Sequence, residues 1–151
     1  MKTSKIFLLV LALIYLLSCR LLAQDINVHY MIGKKLSEVV KKYGNPIHQD
    51  KSNPAMICMF YKGDNFTMVF VGDNDGVYQA EASKSYSTEK EARSFADDFI
   101  SKSISDSFTC DTVTVNDFKL SKAGVKATLQ LMKNEITKKI DINVKANKSE
   151  S

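Results

Sequence analysis

Two histidines, His29 and His48, and three cysteines, Cys19, Cys58 and Cys110, are the residues of this 151-residue chain best suited to carry chemistry, and their spacing builds no reaction centre. A zinc site needs several Cys, His or carboxylate ligands at short recurring spacings, and neither histidine has such neighbours. Each His therefore reads as a surface or locally hydrogen-bonded residue, because a general base needs a nucleophile within reach. Serines and threonines are plentiful, but no GxSxG elbow presents one for attack. No CxxC accompanies Cys58 or Cys110, so neither reads as a catalytic thiol. Asp73, Asn74 and Asp75 begin like a calcium loop, yet the later ligands and the closing Glu are missing; Asp75-Gly76 between apolar runs reads as a hairpin turn. Lys34, Lys35, Lys41 and Lys42 form a basic helix face that solvent accounts for. No catalytic residue, metal or cofactor is expected.

The N-terminus sets the compartment. Lys2 and Lys5 precede an apolar run over 6–17, and Leu21-Leu22-Ala23 ends in a small residue, which is the pattern of an export signal over 1–23. The run is too short for a comfortable membrane span. Two endings are open: cleavage after Ala23, which we favour, or cleavage before Cys19, where Leu16-Leu17-Ser18-Cys19 approximates a lipobox. The first gives a periplasmic or secreted protein. The second would lipidate Cys19 and hold the domain at an outer-membrane surface, the one route by which a membrane becomes a partner.

Losing 1–23 removes Lys2, Lys5 and Arg20 and no acid, which lowers the formal charge from +4 by three. The remaining chain has no basic excess that would point to nucleic acid. Cys58 and Cys110 are then an even pair in an oxidising compartment. They read either as small buried hydrophobes or as a disulfide.

The elements that must position any site follow from periodicity. Leu36, Val39, Val40 and Tyr43 recur at helical spacing, and Gly44 and Pro46 stop that helix. A polar loop over 49–54 leads to strand-like runs over 56–61, 66–71 and 77–83, separated by turn-rich segments. Thr88 and Glu91 form a capping box, after which Ala92, Phe95, Ala96, Phe99, Ile100 and Ile104 trace one helix face. Runs over 108–115, 125–133 and 136–146 complete the chain, the last two alternating cleanly. The expectation is an α+β protein with two helices on one face of an antiparallel sheet of about six strands, or two fused αβββ halves over 32–86 and 87–146 within a single domain over 24–146. Residues 147–151 read as a disordered tail.

Soft and aromatic residues crowd the first strands, and an uncovered sheet face there would suit a partner. Met59, Tyr61, Phe66 and Met68 are the candidate partner-binding residues.

Gly33, Val39, Gly44 and Pro46 give G-x5-V-x4-G-x-P, followed by Phe60-Tyr61, by 66–70 and by Gly76-Val77. This pattern, covering 33–82, resembles the SmpA/OmlA/BamE lipoprotein domain and, more broadly, the β-lactamase-inhibitory-protein fold. Lys35 stands where that domain usually has a capping Thr or Ser. The resemblance implies an exported non-enzymatic protein, either a small outer-membrane assembly lipoprotein or a duplicated helix-plus-sheet binding protein. The sequence reading is thus a non-catalytic binding or scaffold protein that recognises a protein partner through its sheet. The alternatives are an envelope assembly lipoprotein and a small-ligand-binding protein or hydrolase.

Overall fold

The computed structural model describes residues 26–150. The signal segment 1–23, its cleavage point and Cys19 lie outside the described residues, as does Ser151. A 3-10 turn (Val28–Met31) and helix α1 (Leu36–Tyr43) precede strands β1 (His48–Asp50), β2 (Ile57–Lys62), β3 (Phe66–Gly72) and β4 (Val77–Tyr86). Helix α2 (Glu89–Ser105) then leads into β5 (Thr109–Thr114), β6 (Asp117–Lys122), β7 (Val125–Lys133) and β8 (Ile140–Lys148). All eight strands form one antiparallel sheet in the order β1-β2-β3-β4-β8-β7-β6-β5. Each half is a helix and a four-strand meander, and the two meanders join through their last strands.

This corrects the expectation of about six strands and of αβββ halves. The two additional strands are β1 and β6, and both lack the pattern that betrays a strand. β1 is a three-residue polar edge that runs into the presumed loop, and β6 buries only Leu120. The C-terminal boundary also moves. Asn147 and Lys148 pair with β4 and β7, so they belong to the sheet and not to a frayed tail.

One face of the sheet carries the core. Tyr43 of α1 lies against Tyr61 and Phe70, with ring centroids 6.0 and 5.3 Å away. The 3-10 turn lies over β4, β7 and β8, and α2 lies against β4, β5 and β8. Helix α1 stops at Gly44, which takes φ 80° and donates to the Val40 carbonyl. In α2, Thr88 Oγ1 accepts from the Glu91 amide while a Glu91 carboxylate oxygen accepts from the Thr88 amide. Ala92, Ala96, Phe99 and Ser103 are its buried face; Ile104 rotates out to 53% exposure, at odds with its place in the expected stripe.

The turn between β3 and β4 locks onto the N-terminal segment. Gly33 donates to the Val77 carbonyl at 2.7 Å and Val77 donates to the Lys34 carbonyl at 2.8 Å. A Cβ on Gly76, at φ 137°, would sit 2.8 Å from the Lys34 oxygen, so only glycine permits this approach.

Candidate functional site

Strand side chains alternate between faces, and the register sorts every residue of this sheet. The helix-covered side takes Met59 and Tyr61 from β2, Met68 and Phe70 from β3, and Ala80 and Ala82 from β4. The opposite side has no helix on it. Its central row crosses all eight strands as His48, Phe60, Val69, Glu81, Lys145, Thr128, Lys119 and Asp111, each opposite the next. A second row runs Asp50, Cys58, Val71, Gln79, Asn147, Lys126, Ser121 and Thr109. Seven strand spacings of about 4.8 Å make this open face about 34 Å wide.

The two ends of the face differ in chemistry. Toward β1, Phe60, Val69, Val71 and Cys58 are half-buried, and the His48 ring lies 5.6 Å from Phe60. Toward β5, Lys119, Lys126 and Lys145 border a shallow 430 Å³ groove with Asp111, Thr128 and Asn147. Between them Lys145 pairs with Glu81 at 3.0 Å, and Gln79 donates to the same carboxylate oxygen at 3.0 Å. The arrangement can bury an apolar knob at one end and make polar and charged contacts at the other.

The four residues expected to touch a partner are corrected by this register. Met59, Tyr61 and Met68 are 1%, 6% and 3% exposed and point into the core. The Tyr61 hydroxyl donates to the Gly44 carbonyl at 3.0 Å, and burial raises its pKa. Phe66 is half-buried against the same core, its ring lying where a Cβ on Gly63 would be. The residues on the open face are their sequence neighbours Phe60, Val69 and Val71. A signal for this lay in β4: Gln79, Glu81 and Ser83 alternate with Ala80 and Ala82, and a tight hairpin places Val69 and Val71 opposite the polar set.

The disulfide alternative is also corrected. Cys58 and Cys110 are free thiols on β2 and β5. These strands stand six spacings apart in the sheet, on the order of 25–30 Å. A disulfide needs Cα atoms within about 7 Å. Burial, with a smaller contribution from Asp111, pushes the Cys110 thiol up, which disfavours the reactive thiolate.

His29 and His48 sit on opposite sides of the sheet. His29 is 1% exposed among Tyr30, Phe99 and Phe108, with Nε2 3.1 Å from Ser103 Oγ. A Ser-His contact can signal a nucleophile and its base. Here Ser103 donates its proton to the Phe99 carbonyl at 2.7 Å, and both groups are sealed in the core. The contact ties the 3-10 turn to α2. Asp73 uses one carboxylate oxygen to accept from the amides of Asp75 and Gly76, as a turn residue does. No cluster of three metal-ligating side chains occurs among the described residues.

No protein-family profile and no curated protein matches the chain. The solved structures that resemble it include two that align only weakly. An extracellular SCP-domain protein from Bacillus anthracis aligns at TM-score 0.46 and 12% identity, over 83% of this chain and 47% of its own. A cysteine-rich secretory protein from Staphylococcus aureus aligns at TM-score 0.45 and 10% identity, over 80% of this chain and 45% of its own. The chain spans about half the length of these structures. Neither lends support to the BamE-like or inhibitory-protein resemblance.

Proposed function

We propose that this is an exported, non-catalytic binding or scaffold protein that holds a protein partner against the open face of its sheet. The observation that supports the reading is the apolar end of that face. Phe60, Val69 and Val71 stand side by side on adjacent strands with no helix over them, while every element outside the sheet packs on the other side. Adjacent apolar groups on a solvated sheet face are the material of a buried interface anchor. The polar rows beyond them would supply register and orientation.

The test uses the chain lacking 1–23, immobilised and presented with solubilised envelope proteins of the producing cell. A partner identified by mass spectrometry should bind Phe60→Ala at least about fivefold more weakly, which corresponds to an interface anchor worth about 1 kcal/mol or more. Asp98→Lys, on the outer surface of α2, should leave binding unchanged. Retention of the partner by Val69→Glu would refute the assignment of the face. Intact mass of the exported protein separates the product cut after Ala23 from one carrying lipid on Cys19.

A further inference from the structure

The order of the strands has a symmetry that the open face inherits. Outward from the β4–β8 seam the sheet runs β4, β3, β2, β1 on one side and β8, β7, β6, β5 on the other. A two-fold axis set between two open faces, parallel to the strands and passing under the seam, lays β4 of one copy over β8 of the other, β3 over β7, β2 over β6 and β1 over β5.

That operation matches the charges of the face. In the central row it sets Glu81 over Lys145 of the second copy, twice about the axis, and His48 over Asp111. In the row beside it Lys62, Thr67, Ser83, Asn143, Gln130 and Asp117 stand opposite one another in turn, so Lys62 lies over Asp117. The remaining charges of these rows and their flanks meet neutral groups. Asp50 lies over Thr109 and Asp141 over Ser85, while Lys119 lies over Phe60 and Lys126 over Val71. Acid never faces acid, and lysine never faces lysine. Lysine stems cover apolar groups, and an ammonium over the Phe60 ring is itself a favourable contact. A two-fold across the strands along the central row would instead set Glu81, Lys145, Lys119 and Asp111 each over its own copy.

We propose that the partner held by the open face is a second copy of this chain, joined face to face about the axis along the strands; this rests on the reading of that face as the binding surface and names what binds there. The area suffices. About 34 Å of width and about 20 Å of strand length offer about 700 Å² per copy, so a pair buries about 1,400 Å², inside the range of about 1,200–2,000 Å² for stable interfaces. Matched charge fixes the orientation of such a pair more than its strength. Packed sheets cross at about 30°, a rotation that displaces the outer strands most and the seam least, which makes Glu81 and Lys145 the pair to test.

Sedimentation equilibrium of the chain lacking 1–23, from micromolar to millimolar concentration, should show a monomer passing into a dimer. Lys145→Glu and Glu81→Lys should each weaken that association at least about tenfold, because each puts like charges over one another. An equimolar mixture of the two variants should associate as the unaltered chain does, since each then faces a copy of opposite charge. The two side chains are 58% and 46% exposed, so the variants should fold. Ser121→Cys supplies the orientation: Cys58 of the second copy lies over that position, whereas within one copy β2 and β6 stand five strand spacings apart, roughly 24 Å. A bis-maleimide too short for that span should therefore link the two cysteines only between copies. A chain that stays monomeric throughout overturns the proposal, and the response of a captured envelope protein to Phe60→Ala then decides separately whether the open face binds at all. A dimer indifferent to both charge reversals, or two variants that mixing does not restore, overturns it equally.

Discussion

Neighbouring residues of β2 should respond in opposite ways to truncation, and the contrast tests the face assignment on which the functional proposal stands. Met59 is 1% exposed and lies opposite Phe70, which is itself fully buried beneath Tyr43. Met59→Ala removes a side chain from a closed part of the core, and buried Met→Ala changes cost about 2–5 kcal/mol. The upper half of that range fits here, because Phe70 and Tyr61 are held by a ring contact with centroids 5.8 Å apart and cannot collapse far into the gap. Phe60→Ala removes more atoms but loses only cross-strand contacts with Val69 and His48, worth about 0.2–1 kcal/mol each. Urea unfolding of the chain lacking 1–23 should show a midpoint lowered by about 1–3 M for Met59→Ala at unchanged slope, and a far smaller drop for Phe60→Ala. Equal losses from the two variants would mean that both faces are covered.

Thr88→Ala removes the capping box of α2 and should destabilise the fold by about 1 kcal/mol, read from the same unfolding curves. Tyr61→Phe should cost about 1 kcal/mol through loss of the bond to Gly44, whereas Tyr86→Phe should be neutral or stabilising, because the buried Tyr86 hydroxyl has no hydrogen-bond partner among the described residues. Burial, and secondarily Glu91, raise the Tyr86 pKa well above its ordinary value. The unfolded tyrosine therefore ionises first: the contribution of Tyr86 is fully present below about pH 10 and is lost as pH rises beyond it, so Tyr86→Phe should flatten the alkaline limb of a stability-versus-pH curve. Thiol labelling of the unfolded chain lacking 1–23 should find two free cysteines, and reductant should leave the melting temperature unchanged. A reductant-sensitive melt would contradict the separation of β2 from β5.

Helices were readable in the sequence because their signals are local: Gly44 and Pro46 end α1, and Thr88 with Glu91 opens α2. Strands were readable only where burial imposes a pattern. β7 and β8 alternate because one side faces the core and the other faces water, while β6 buries only Leu120 and β1 only half-covers Gln49, so neither shows a period. The candidate site failed for a related reason. In β2 and β3 the open face is itself apolar, so Phe60 and Tyr61, or Met68 and Val69, cannot be assigned to faces from their types. Pairing with the polar alternation of β4 decides it, through the register of the β3–β4 hairpin. The cysteines failed likewise, because evenness of number says nothing of the six strand spacings between them.

The seam between the two meanders has a kinetic meaning. Every other strand pair is a hairpin between consecutive strands, but β4 can meet β8 only after α2 and the entire second meander have been made. Because β8 occupies the middle of the sheet, the last of these eight strands in chain order completes its centre. A chain passing stepwise through a translocation channel would hold two separate ribbons, each with a raw edge, until β8 arrived. The interval before closure is when those edges are open to strangers, and a chaperone that shields β4 would act there.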